Sequence, residues 1–300
     1  MEKKPTVIYV VSDRRSGSTL LENILSKSKE VTSVGELALL QGHLLKQGPG
    51  ERWSWNCSCG QTLSECIFWS VILKDVDNND PSFATNIQWS FKSKKLFAVA
   101  LVPSVFKKRL LEILSSKKNK NVAATLNKLY TKIFEHTGKP FIVDSSKDPL
   151  QALSIYRSER NFDVKIIWLT RDLRAVAVSK SKWKELNVKR QKTLKKILFD
   201  VFYYKRICEA VAAFIKPEDI INIKYEELAQ QTQPQLDKIV ERFGMNKYTA
   251  PEYMFVEDDH TIAGTPNRFS KRPIVYEETW KKNYEQKKML YYTGSLLNKL

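Results

Sequence analysis

The chain has 300 residues, 42% of them hydrophobic and seven of them tryptophan, which is ample for a buried core and excludes a disordered or fibrous polypeptide. Fifty basic against 33 acidic residues give a net charge of +17, so the surface draws polyanions by long-range steering. No basic arm, aromatic RNA-binding motif or helix-turn-helix pattern directs that charge to nucleic acid, and a ligand that is a multiply charged nucleotide accounts for it more simply.

Met1-Glu-Lys-Lys-Pro leads straight into Val7–Val11, a continuous β-branched run of the kind buried on both faces of a sheet. No signal peptide precedes it and no apolar run is long enough for a membrane helix, so a cytoplasmic protein without structural disulfides is expected. Leu20, Leu21, Ile24 and Leu25 then fall at helical spacing. Between strand and helix lies Asp13-Arg-Arg-Ser-Gly-Ser-Thr19. A strand, a tight turn and a helix in that order aim backbone N–H groups and the positive end of a helix dipole at one point. Arg15, Ser16, Ser18 and Thr19 add charge and hydroxyls, making an anion cradle. It is not the loop of nucleotide triphosphatases, which is longer and places a lysine after its second glycine; here Arg15 precedes Gly17.

Val31–Val34 reads as a second strand ending at Gly35-Glu36, and residues 37–45 as helical. Cys57-Ser-Cys59-Gly and Cys66-Ile-Phe-Trp69 put three cysteines within ten residues. A structural zinc site wants four ligands, and His43, the nearest histidine in sequence, is poorly spaced to be the fourth. A packed or weakly redox-active cysteine turn is the competing reading, and no metal is expected. Residues 70–135 are helical and basic without strand signals, forming an insertion where substrate specificity would sit. Within it, the apolar run 96–106 fits a core helix broken near Pro103, an interfacial segment in contact with lipid, or the lining of an apolar pocket.

Phe141–Asp144 is the third strand, and Ser145-Ser-Lys-Asp-Pro149 opens a helix with capping chemistry. Val164–Leu169 is the fourth, ending in Thr170-Arg-Asp-Leu-Arg-Ala-Val-Ala-Val-Ser179, a second strand-to-helix turn with basic residues. A long helix from about 188 to 214, a strand at 220–223 and helices through 243 complete an α/β pattern: a parallel sheet covered by helices on both faces. Without any linker, the chain reads as a single domain, residues 1–300, with the insertion at about 70–135. Arg171 and Ser179, eight residues apart, can face one anion from the start of one helix; a capped amphipathic helix with a surface arginine is the plainer alternative. Both basic turns fall at carboxyl ends of strands, where such folds bind ligands.

Arg15-Ser-Gly-Ser-Thr19 resembles the phosphosulfate loop of sulfotransferases that use 3′-phosphoadenosine 5′-phosphosulfate (PAPS), and Arg171 with Ser179 resembles their second signature, which holds the 3′-phosphate. The likeness is closest to the bacterial and Golgi-type branch and covers residues 7–36, 141–180 and, less clearly, 260–280. The Cys-x-Cys-Gly pattern is also similar to one in bacterial sulfotransferase-domain proteins. The resemblance implies a P-loop-like sulfotransferase fold, PAPS as co-substrate and transfer of its sulfuryl group to an acceptor hydroxyl of a glycan, lipid or small molecule. It implies Arg15 at the bridging oxygen and sulfuryl group, and Ser16, Gly17, Ser18 and Thr19 on the 5′-phosphate. Arg268 is implied as a 3′-phosphate contact, in a segment that reads Gly264-Thr265 where the family usually has Gly-Asn. Glu36 occupies the place of the family's Gly-Glu base, with a surface carboxylate capping the next helix as the alternative, and Lys147 matches a lysine that stabilises the transferring group or is a surface lysine. A small-molecule or nucleotide kinase using ATP and Mg²⁺ is the second reading, and a polyanion-binding protein with a decayed nucleotide site the third.

Overall fold

The structure is a computed structural model and describes residues 4–45, 56–77, 103–185, 193–254, 259–263 and 271–300. Strands β1 (Thr6–Ser12), β2 (Val31–Gly35), β3 (Phe141–Lys147), β4 (Asp163–Thr170) and β5 (Ile220–Lys224) form one sheet in the order β2-β3-β1-β4-β5. All four pairings are parallel. Every residue of β1 is buried, and its alternation divides the core. Val7, Tyr9 and Val11 pack on one face, Ile8 and Val10 on the other.

Helix α1 (Ser18–Ser26) covers the second face with Leu20, Leu21, Ile24 and Leu25. After β2 come a 3₁₀ turn (Leu37–Leu39), α2 (Leu40–Leu45), α3 (Trp69–Asp77), α4 (Pro103–Ser115) and α5 (Lys117–Thr137). Leu126, Leu129, Tyr130 and Ile133 of α5 cover the first face, beside Leu150 and Leu153 of α6 (Pro149–Arg157). The chain continues as α7 (Leu173–Glu185), α8 (Leu194–Ala212), α9 (Tyr225–Gln230), α10 (Thr232–Phe243) and α11 (Lys288–Lys299). Leu236, Ile239 and Val240 of α10 join α1 on the second face. The α/β layering, with helices on both faces, is therefore as the pattern of elements requires.

Three features differ from the sequence expectation. β3 continues three residues past Asp144, because Ser145 and Ser146 are not solvated turn residues: their hydroxyls bond the buried carboxylates of Glu22 and Asp144. A short antiparallel pair, β6 (Tyr253–Met254) with β7 (Arg272–Pro273), was not foreseen. Helix α8 begins at Leu194, capped by Thr193, and residues 188–192 of the expected long helix lie outside the described residues, as does most of the apolar run 96–106. Among the described residues, no helix is long and apolar enough to cross a membrane.

At the β2 edge, Ile262 N–H donates to Val34 O at 3.0 Å and Glu36 N–H to Ile262 O at 2.8 Å. Gly35 lies between them at φ 76°, and a Cβ there would meet the Ile262 carbonyl oxygen at 2.1 Å, so this close approach requires glycine. Toward the other end of β2, Lys139 Nζ bonds Val31 O at 3.0 Å.

Candidate active site

The strand order places the switch point at β1: the chain runs outward from it to β2 and returns through β3, then crosses to β4 on the far side. Ligands in open parallel sheets bind at such a point, beyond the carboxyl ends of the strands. Ser12 is in register with Leu169 of β4, and Val11 with Lys147 of β3. The segments leaving β2, β3, β1 and β4 therefore deliver Glu36, Lys147, Arg15 and Arg171 to one end of the sheet.

The loop after β1 is shaped by two left-handed residues, Arg15 (φ 73°) and Gly17 (φ 95°). Gly17 caps α1, with Leu20 and Leu21 N–H already donating to its carbonyl. The N–H groups ahead of them, at Gly17, Ser18 and Thr19, are those that helix geometry leaves without an internal partner. Ser16 and Ser18, within the loop and at the start of α1, are buried. Gly17 is required because Tyr225, the first residue of α9, lies against it: an added Cβ would come within 2.2 Å of Tyr225 Cδ2. That ring also carries a cation–π contact, with Arg171 Cζ 4.1 Å from its centroid.

Arg15 Nε donates to Ser179 Oγ at 2.9 Å, and Arg171 Nη1 donates to the Arg15 carbonyl at 3.0 Å. The two basic turns are thus one unit. Burial pushes the Arg15 guanidinium below its usual range, and the charges of Arg171 and Arg272 push it further. Among the described residues no carboxylate forms an ion pair with any of these three arginines. Arg171 Nε, Arg272 Nε and the hydroxyl of Ser12 are buried without a hydrogen-bond partner. Uncompensated like charges beside orphaned donors are costly unless an anion completes them. The neighbouring charges are, by contrast, paired. Lys180 bonds both oxygens of Asp13, at 2.5 and 2.6 Å, and Arg174 holds Asp172, so neither acid is spent on the three arginines.

On the other side of β1, Lys147 Nζ and Glu36 Oε1 form an ion pair at 2.5 Å, their side chains 10% and 14% exposed. Neither is a surface group. Glu36 precedes the 3₁₀ turn but its side chain caps nothing there; the Ser146 hydroxyl takes that place, bonded by Ala38 N–H at 2.9 Å. Lys147 is held at a left-handed φ of 73°, its carbonyl accepting from Tyr204 Oη at 2.9 Å. Glu22, buried beneath, accepts from Ser33 and Ser145. Burial raises its carboxyl above the ordinary range, opposed by those hydroxyls and by the charge of Lys147.

Arg15, Ser16, Gly17, Ser18, Thr19, Glu36, Lys147, Arg171 and Ser179 thus lie at one end of the sheet, while Arg268 lies outside the described residues. Sequence reasoning missed Tyr225 and Arg272. Tyr225 had a usable signal, an aromatic residue directly after a strand; Arg272 sits on a two-residue strand that leaves none. Trp280, at the end of the 260–280 stretch, is buried against Arg174 and Tyr284.

At the cysteine turn, His260, which sequence spacing did not point to, places its Nδ1 3.6 Å from Cys57 Sγ and 3.2 Å from Cys66 Sγ.

The fold defined by this sheet and its two loops is that of the sulfotransferases. It is similar along nearly its whole length to the sulfotransferase domain from the curacin biosynthetic pathway (TM-score 0.56, 18% identity, 99% of each chain covered). It is also similar to the sulfotransferase domain of the Synechococcus PCC 7002 olefin synthase (TM-score 0.55, 17% identity, covering 93% of this chain and 89% of that one). No protein-family model and no curated protein matches the sequence.

Proposed function

We propose that the protein is a sulfotransferase that moves the sulfuryl group of PAPS to an acceptor hydroxyl on a glycan, lipid or small molecule. The observation that carries this reading is the cluster of Arg15, Arg171 and Arg272 at the switch point, mutually repelling and without a carboxylate among the described residues. A nucleotide with phosphates at its 3′ and 5′ positions would complete it. Its 5′-phosphosulfate takes the N–H groups of Gly17, Ser18 and Thr19 and the hydroxyls of Ser16, Ser18 and Thr19. Its 3′-phosphate takes Arg171 and Ser179, with Arg268 as a further contact.

In the transfer, the acceptor oxygen attacks sulfur in line as the bond from sulfur to the bridging oxygen breaks. The electron pair of that bond leaves with the 5′-phosphate, and the acceptor proton passes to Glu36. Arg15 neutralises charge on the bridging oxygen. Lys147, ion-paired with Glu36, orients the base and offers its ammonium to the sulfuryl oxygens. Preorganised cations at developing charge are the usual source of rate in such transfers, and a positioned base adds to it.

A kinase is not favoured, because no lysine follows Gly17 to meet the outer phosphates of ATP. Calorimetric titration with 3′-phosphoadenosine 5′-phosphate, beside ATP with Mg²⁺, separates the two. Tight binding of the bisphosphate, lost in Arg171→Ala and indifferent to Mg²⁺, is expected. Preference for ATP with Mg²⁺ would overturn the proposal.

A further inference from the structure

The cysteine turn lies apart from the arginine cluster and takes no part in the transfer chemistry above. The Sγ atoms of Cys57, Cys59 and Cys66 and a ring nitrogen of His260 all lie within 4.8 Å of one another, and none of the cysteines is in a disulfide. Zn–S bonds of about 2.3 Å and Zn–N bonds of about 2.0–2.1 Å, arranged tetrahedrally, put neighbouring donor atoms about 3.6–3.8 Å apart. The observed sulfur-to-nitrogen separations of 3.6 and 3.2 Å are of that size, whereas a disulfide would bring two sulfurs to about 2 Å. Three thiolates and one imidazole are a donor set that closes a structural zinc site.

The surroundings hold these groups in place without the ion. The turn is closed by Cys57 N–H to Gln61 O and Gly60 N–H to Cys57 O, both 2.9 Å, with Gly60 at φ 89°. The His260 ring stacks on Phe68 at 5.3 Å, the planes 3° apart, and its carbonyl accepts from Trp69 Nε1 at 2.6 Å. Ser58 N–H bonds Thr261 O at 3.0 Å, and Thr261 N–H bonds Ser58 Oγ at 2.8 Å. Such outer bonds fix the rotamers of metal ligands.

We propose that Cys57, Cys59, Cys66 and His260 hold one structural zinc ion. The ion clips the turn to residues 259–262, some 200 positions later in the chain. Ile262, two residues beyond His260, is the residue bonded to Val34 O and Glu36 N–H at the end of β2. The clip therefore secures the backbone from which Glu36 projects.

The test uses the full chain, purified under reducing conditions and dialysed, with metal content read by mass spectrometry. About one zinc per chain is expected, retained in Cys208→Ser, whose thiol is buried elsewhere, and reduced to trace in Cys66→Ser and in His260→Ala. Exchange of wild-type protein into Co²⁺ should give intense visible bands and thiolate charge-transfer absorption of a tetrahedral site. That reading needs no variant to fold. Metal-free wild type, weak octahedral cobalt bands, recovery of a Cys57–Cys66 disulfide in place of zinc, or full zinc retention by both ligand variants would each overturn the proposal. None of these outcomes depends on nucleotide binding.

Discussion

Arg15 and Ser179, 164 positions apart, are joined by a hydrogen bond of 2.9 Å from Nε to Oγ. The loop after β1 and the helix after β4 are therefore coupled before any ligand arrives. In the proposed reaction, the residue that would bind the 3′-phosphate would also orient the guanidinium at the transferring sulfur. Arg15→Ala is expected to lower the transfer rate by about 10²–10³, and Ser179→Ala to lower both nucleotide affinity and rate, the rate because Arg15 loses its anchor. Arg171→Ala should weaken the bisphosphate by about 1.5–3 kcal/mol, the range for a hydrogen bond to a charged group. Calorimetry beside steady-state kinetics measures both. An Arg15→Ala enzyme with a full rate would remove it from the chemistry.

Glu36 and Lys147 make the second test. Glu36→Gln should cut the rate by about 10²–10⁴ while leaving bisphosphate affinity in place. Lys147→Met strands a buried carboxylate and should destabilise by about 3–5 kcal/mol, as breaking a buried pair does. Denaturant unfolding would read the second effect, and steady-state kinetics beside calorimetry the first.

Gly17 and Tyr225 predict a steric effect without loss of charge. Gly17→Ala imposes a left-handed φ on a residue with a Cβ, at a cost of about 1 kcal/mol or more, and drives that Cβ into the Tyr225 ring. The ring then moves off Arg171, so nucleotide affinity should fall well beyond the loss of stability. Tyr225→Phe keeps the cation–π contact and should bind normally; Tyr225→Ala should lose about 0.5–2 kcal/mol of nucleotide binding.

Asp144 sets a pH dependence. Burial raises its carboxyl to about 6, opposed by the bonds from Ser146 and Tyr130, whereas in the unfolded chain it titrates near about 3.9. The folded state therefore binds the extra proton between about pH 4 and 6, and stability falls as pH rises through that window. For a shift of about two units the fall is about 3 kcal/mol at most. Unfolding free energies at about pH 4 and pH 7 should differ less in Asp144→Asn than in the wild type. Equal differences would remove Asp144 from the pH dependence.

How much of this was legible depends on sequence distance. The loop between β1 and α1 is local, so Val7–Val11, Gly17 and the leucines of α1 announce strand, turn and helix by themselves. Arg171 and Ser179 were legible for the same reason. Glu36 and Lys147 could each be singled out, yet their pairing could not, since it depends on β3 lying beside β2 and running on to Lys147. That extension was hidden because Ser145 and Ser146 read as turn residues until the buried carboxylates they bond are known. His260 was the widest miss. Three cysteines in ten residues posed the question of a fourth ligand, but the answer lay 194 residues beyond Cys66, brought in by a backbone bridge at Gly35 that no spacing rule encodes.

That bridge has another consequence. β2 is one of the sheet's two outer strands, and an outer strand offers unpaired backbone groups to any other chain. Ile262 occupies the groups at one end, Val34 O and Glu36 N–H, and Lys139 occupies Val31 O toward the other. The outer rim is thereby blunted by a crossing segment and a charged side chain, so the same contacts that seat Glu36 also guard the protein against edge-to-edge aggregation.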